Sequence, residues 1–415
     1  MVEAAESAPE TPGRKIVFVL GAGASAPFLT VGGEPLSTAL IARALRSDEL
    51  WRKVWRHFER ERGVAGHSSP GAGDHLDINE ALLLRDRVLS VLQATRFDHI
   101  NFEHFIQLID KTALYLCANH RTEIAQLDSL LLGLEDNLRK QFTKSDPDGW
   151  RYLPWLVREV VLEVVLAAWE ELDQPRRDSI LDLHRKFFAA VARQYRGVSL
   201  YSLNYDPLVP VALRPLGYDT GFLSSGHLRP GSCPTDARRL AQLHGSVGFV
   251  PGGACAVRWF DDFREARAQR IKKVVGERLV CTGNTLQPPF SAYYQRFFRD
   301  CYEAATLVFI GVGCGGEQLN TLLAVFPVLR PEQRVVVVCL QSGPETRNFT
   351  TFGDSFLFKI ASATNDAFRQ GVRTDIEKLA TSVDERGFGQ FTKQTWLYAR
   401  GSEEFYRSGT GSGLL

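Results

Sequence analysis

The sequence predicts an α/β fold in which a parallel sheet carries a large helical insertion. Three observations predict it. Short strand-like runs recur at 15–20, 197–203, 278–281, 306–312 and 334–340, the first of them apolar and rich in β-branched residues as in a buried strand. Glycines punctuate the ends of the first and fourth runs, at Gly21 and Gly311. Between the first and second runs, at about 36–196, apolar residues instead repeat at three and four positions, the spacing of helices packed on one face. Strands alternating with helices imply parallel pairing, because each crossover needs a helix to return the chain.

The elements follow in order. Residues 1–14 hold three glutamates and lack the basic start and apolar stretch of a signal peptide, so they read as a disordered leader. The run Lys15–Leu20 is the first strand of a domain expected to extend to about residue 345. Within the insertion, Phe102, Phe105, Ile106 and Ile109 form one helical face behind an Asn101 cap, and Leu127, Leu130, Leu131 and Leu134 form another. Two longer helices are expected at 155–172 and 180–195, divided near Pro175. A C-terminal extension, 346–407, is expected to pack on the core with a last strand at 394–398, and the glycine- and serine-rich 408–415 to form a flexible tail.

Composition bounds the function classes. Apolar residues make up 44% and charged residues 23%, as in ordinary globular proteins. Lysine plus arginine (49) nearly cancels aspartate plus glutamate (48), so charge does not favour nucleic acid or an anionic membrane. No apolar run approaches the ~18 residues of a membrane helix. Seven scattered cysteines without a C-x-x-C pair speak against a zinc ribbon or disulfide framework and fit a reducing cytoplasm.

The chemistry-bearing motifs sit where strands end. Gly21-Ala22-Gly23-Ala24-Ser25 follows the first strand, where glycine permits close backbone approach and successive N–H groups can cradle a pyrophosphate. Continued to Ala26 it also fits the dinucleotide fingerprint of Rossmann-like dehydrogenases, but Pro27, Gly32, Gly33 and Pro35 break the long helix that fingerprint needs. Asn204-Tyr205-Asp206 follows the second strand. Taken alone it is more often an Asx turn before Pro207 than a ligand site. Leu243-His244-Gly245 offers an imidazole able to act as acid or base, although a single histidine is more often structural. Gly311-Val-Gly313 with Asn320 forms a second glycine-rich loop after a strand.

In their joint order, G-A-G-A-S at 21–25, N-Y-D at 204–206 and L-H-G at 243–245, these motifs resemble the sirtuin superfamily over about 15–340. They look most like the prokaryotic sirtuin-like NAD hydrolases of anti-phage defence, and Asn101-Phe102-Glu103 resembles a segment of their helical part. The resemblance implies a Rossmann-like, sirtuin-like sheet and a chain that cleaves NAD as substrate without a metal. It implies that Asn204 orients the nicotinamide ribose or the attacking water and that His244 is the acid/base residue. Gly21, Ala22, Gly23 and Ser25 would then face the pyrophosphate, with Gly311, Gly313 and Asn320 nearer the adenosine. Asp206 would either stabilise the developing cation or cap its own loop. It further implies a cytoplasmic homo-oligomer activated through a partner such as a HerA-type ATPase ring, an Argonaute-like protein or a phage component.

Protein deacylases of the superfamily add two C-x-x-C pairs and a G-I-P-D-F-R segment. This chain has neither, reading Val31-Gly-Gly-Glu-Pro-Leu-Ser37 at the second position. Hydrolysis is therefore the favoured expectation. Deacylation, ADP-ribosyl transfer and non-catalytic NAD or ADP-ribose binding are the alternatives.

Overall fold

The structure, a computed structural model, describes residues 15–64, 78–94, 105–106, 109, 153–229, 238–251, 257–277, 290–312, 333–338, 388–392, 395–398 and 402–408. The expected leader, the Asn101 cap, the helix at 127–134, the strand at 278–281, Gly313 and Asn320 lie outside these residues.

The chain is α/β, built on a parallel sheet flanked by helices in the general manner of a Rossmann fold. Strand β1 (Lys15–Leu20) is an interior strand, and Ile16 to Leu20 are wholly buried, as expected when helices cover both faces. One side adds β4 (Gly197–Ser202) and β5 (Arg238–Gln242). The other adds β8 (Thr306–Ile310), β9 (Arg334–Val338), β11 (Thr395–Tyr398) and β10 (Phe388–Thr392). Every neighbour pairs in parallel except β10 with β11, so the C-terminal segment completes the main sheet. Strand order therefore reverses direction between β1 and β8. The carboxyl ends of the strands at such a switch point are where open α/β sheets bind ligands.

Strand β5 is absent from the sequence expectation, which had no strand between 203 and 278. Its residues Arg-Arg-Leu-Ala-Gln lack β-branching, and Arg239 would ordinarily signal a surface. It is buried because its guanidinium meets Asp300 across the sheet.

Helices close both faces. After β1 comes α1 (Ala22–Ser25), then a hairpin of β2 (Thr30–Val31) and β3 (Glu34–Pro35). Its turn residues Gly32 and Gly33 both have positive φ, the pair of left-handed positions that a tight two-residue hairpin demands. Thus the glycines and prolines do divert the chain from a long helix. The helical segment follows as α2 (Thr38–Ala44), α3 (Asp48–Val64), α4 (Ile78–Ala94), α5 (Leu153–Glu170) and α6 (Gln174–Gln194). Phe105, Ile106 and Ile109 are helical and buried. The two helices are divided just before Pro175, which stands in the first turn of α6, and Asp173 caps that helix through the Arg176 N–H.

From α6, Phe187 and Phe188 pack edge-on against Phe18 at centroid distances of 6.0 and 5.3 Å. Tyr201, on the opposite face, packs against Phe297 of α9 (Phe290–Glu303) at 4.9 Å. Each such buried ring contributes roughly 1.5–3 kcal/mol by leaving water. Three further helices bear on the site: α7 (Leu208–Leu213), α8 (Phe263–Glu277) and the C-terminal α10 (Ser402–Ser408). A small hairpin of β6 (Phe249–Pro251) and β7 (Val257–Trp259) precedes α8.

Candidate active site

Parallel register brings the motifs to one edge. Leu20 pairs with Ser202, and Ser202 with Gln242, so the segments beginning at Gly21, Leu203 and Leu243 leave the sheet side by side. The ladder continues one step beyond each strand: the Leu203 N–H donates to the Leu20 carbonyl, and the Leu243 N–H to the Ser202 carbonyl, both at 2.8 Å. Gly311 leaves β8 on the other side of β1.

Asn204 is the clasp between the first two loops. It is buried, and its amide Nδ2 donates to the Gly21 carbonyl at 2.9 Å and the Ser25 hydroxyl at 3.0 Å. Its own N–H donates to Ser202 Oγ at 3.1 Å. Asp206 completes the cluster. Burial pushes its carboxyl above the usual range, while hydrogen bonds from Ser25, the Leu208 N–H and Asn204 pull it part of the way back. One of its oxygens accepts from the Leu208 N–H at 3.1 Å, so Asp206 closes an Asx turn leading into α7 and also holds Ser25. Gly21, Ser25, Asn204 and Asp206, spread over 186 positions of sequence, form one hydrogen-bonded unit.

The glycines have a physical reason different from the one the motif suggests. A Cβ on Gly21 would stand 2.5 Å from the Gly311 carbonyl oxygen, and one on Gly23 would stand 2.8 Å from Gly311 Cα. The Gly21 and Gly23 N–H groups donate to the Ile310 and Gly311 carbonyls, each at 2.9 Å, and the Ala24 N–H donates to the Gly21 carbonyl at 2.8 Å. The close approach these residues permit is thus between the two glycine loops. Ala22, half-buried, starts α1 at the same edge.

His244 stands two residues beyond β5, half-buried, its ring 6.3 Å from that of Tyr205. Its loop is tied to the Asn-Tyr-Asp turn: the Val247 N–H donates to the Tyr205 carbonyl at 2.9 Å, and Ser246 Oγ donates to the same oxygen at 3.3 Å. Gly245 has a φ of 96°, which turns the backbone sharply after the histidine.

No protein-family model matches this chain, and no curated protein matches it significantly.

Sequence reasoning missed the floor of the site. Ser402 of α10 donates to the Gly23 carbonyl at 2.8 Å, and Tyr406 packs its ring 4.5 Å from His184 and 6.2 Å from Phe28. Burial and the nearby Asp206 carboxylate both push the Tyr406 phenol up. His184 lies on the apolar face of α6 with Ile180, Leu181, Phe187 and Phe188, a pattern that reads as core. Nothing local marks residues 402–406, because their partners lie nearly the whole chain away.

A separate groove of about 840 Å³ runs between α5, α6, α7 and the start of α8, lined by Trp169, Arg177, Arg214, Asp261 and Phe263 among others. None of the sequence-predicted site residues lines it. Its charged groups pair with one another, Arg214 with Asp261 and Arg264 with Glu170. Among the described residues there is no group of three metal-ligating side chains, and no helix long and apolar enough to cross a membrane.

Proposed function

We propose that this chain is a sirtuin-like NAD hydrolase, cleaving the nicotinamide–ribose bond to give nicotinamide and ADP-ribose. The observation that carries the reading is the convergence of Ser25, Asn204 and Asp206 into one cluster beside the His244 loop, at the switch point of a Rossmann-like sheet. Those are the residues whose order along the chain resembles the NAD-cleaving family.

The chemistry asks little of the protein. The bond from ribose C1′ to the nicotinamide nitrogen breaks with its electron pair leaving on nicotinamide, and a water oxygen bonds to C1′. His244 accepts the proton of that water or of a ribose hydroxyl. Asn204 turns its amide nitrogen into the protein, which leaves its acceptor, Oδ1, for ribose or water. Asp206 braces Ser25 and Asn204 rather than stabilising the developing cation. The loop N–H groups of Gly21, Gly23 and Ala24 are already donated internally, so they are not the groups that would hold a pyrophosphate. The second reading is a scaffold that binds NAD or ADP-ribose without turnover.

Purified protein incubated with NAD, alone and with candidate partners or phage material, decides between them. Chromatography is expected to reveal equal amounts of nicotinamide and ADP-ribose. Asn204→Ala and His244→Ala are each expected to lower the rate about 10²–10⁴-fold. NAD bound but uncleaved under every condition would sink the hydrolase reading in favour of the scaffold. A product formed only with an acylated peptide would instead identify a deacylase.

A further inference from the structure

The His244 loop is held from behind by a buried charge that the reaction does not use. Arg270, on α8, is 6% exposed and Glu159, on α5, is 3% exposed. The Arg270 Nε and one terminal nitrogen donate to the two carboxylate oxygens of Glu159 as a fork. The other terminal nitrogen donates to the carbonyls of Val247 and Phe249, at 2.5 and 3.2 Å. Val247 is also the residue whose N–H reaches the Tyr205 carbonyl. A continuous path therefore runs from α5 through Arg270 to Val247, three residues after His244, and on to Tyr205, the neighbour of Asn204 and Asp206.

A buried ion pair is a poor device for stability alone, because desolvating both charges offsets most of their attraction. Its value lies in geometry. A guanidinium is flat and always charged, and here its three nitrogens bind two separate parts of the protein at fixed angles. One turn away on the same two helices, Glu163 meets Arg267 at 2.9 Å and Lys53 of α3 at 2.6 Å. That pair touches neither loop, so it serves as an internal comparison.

We propose that Arg270, oriented by Glu159, is a positioning residue that sets the His244 loop against the Asn204–Asp206 turn, and that α5 and α8 thereby control whether the two loops are aligned for reaction. The activity part of this inference rests on the hydrolase reading; the positioning part does not.

The test compares the full chain with Arg270→Lys, Glu159→Gln and Glu163→Gln. Lysine keeps the charge and stem but cannot hold carboxylate and loop carbonyls together, and glutamine keeps the volume of Glu159. Amide hydrogen exchange by mass spectrometry is read in peptides covering 203–207, 243–250 and 15–20. Exchange in the first two is expected to rise about tenfold in Arg270→Lys and Glu159→Gln, with 15–20 unchanged and Glu163→Gln like wild type. The kcat for NAD hydrolysis is expected to fall 10–100-fold in the same two variants with KM within about threefold. Should Arg270→Lys fail to fold, the isosteric Glu159→Gln carries the comparison. Unchanged exchange at 243–250, or exchange that rises equally in β1, overturns the proposal. Altered exchange without NAD cleavage in any sample leaves the positioning role standing and removes the hydrolase reading alone.

Discussion

Gly311 has a φ of 57°, and a Cβ there would lie 2.2 Å from the carbonyl carbon of Gly23. The left-handed backbone costs a non-glycine residue about 1–2 kcal/mol, and forcing a methyl into packed backbone adds about 1–3 kcal/mol. Gly311→Ala is accordingly expected to lower unfolding stability by about 2–5 kcal/mol, measured as a shift in urea midpoint; an unchanged midpoint would refute the loop-to-loop packing. His184 offers a pH test at the same scale. Burial holds its imidazole down to about 4, against a small rise from its bond to the Ile180 carbonyl. Between about pH 6.5 and 4 the unfolded chain therefore binds a proton that the folded chain refuses, and stability falls as pH falls through that window. The size is on the order of 3 kcal/mol. In His184→Phe that part of the acid-side loss is expected to vanish, read from urea midpoints at pH 7, 5.5 and 4.

The helix α10 shows what one short element adds. Seven residues could not hold a helix alone in water, so α10 persists through its contacts. Ser402 anchors it to the Gly23 carbonyl, and Phe405 and Tyr406 enter the aromatic group of Phe187, Phe188, His184 and Phe28. Tyr406→Ala is expected to cost about 3–5 kcal/mol, as for other large aromatic truncations. The Tyr406 hydroxyl has no hydrogen-bond partner among the described residues, so Tyr406→Phe removes a buried polar group that nothing satisfies. Thermal unfolding of the phenylalanine variant is expected to match or exceed wild type. A drop of several degrees would mean that the hydroxyl is bonded after all.

Across the whole molecule, Asp300 joins the end of the sheet opposite the candidate site. Wholly buried, it accepts from Lys15 of β1 at 2.6 Å, from Ser199 and Tyr201 of β4 at 2.7 Å, and from Arg239 of β5 at 3.1 Å. Burial would raise its carboxyl, but these partners outweigh it and hold it below the usual range. A depressed carboxylate lends stability that is fully present above its unfolded pKa and is lost as pH falls through its folded one. Asp300→Asn strands buried positive charge and is expected to cost about 3–5 kcal/mol near neutral pH. The same variant is expected to lose less stability than wild type on moving from pH 5 to pH 2. Equal acid loss in both would show that Asp300 is not the proton acceptor.

Most of the parallel sheet was legible because buried strands need apolar runs of strand length, and β1, β8 and β9 have them in continuous form while β4 has Val198, Leu200 and Tyr201. β5 was not, since Arg239 enters the core by pairing with Asp300, 61 positions away. The order of the three motifs likewise pointed to one site, because strand ends of a parallel sheet share an edge. What sequence spacing alone determined was therefore the local periodicity and the residues eligible for chemistry. Tertiary structure decided how those residues are used: that Gly21 and Gly23 face Gly311, that Asn204 turns its amide inward, and that Ser402, Tyr406 and Arg270 support the loops. The physical reason is reach. Periodicity and turn preference act within a few residues, whereas hydrogen bonds and steric contacts between distant segments exist only once the sheet has brought their ends together.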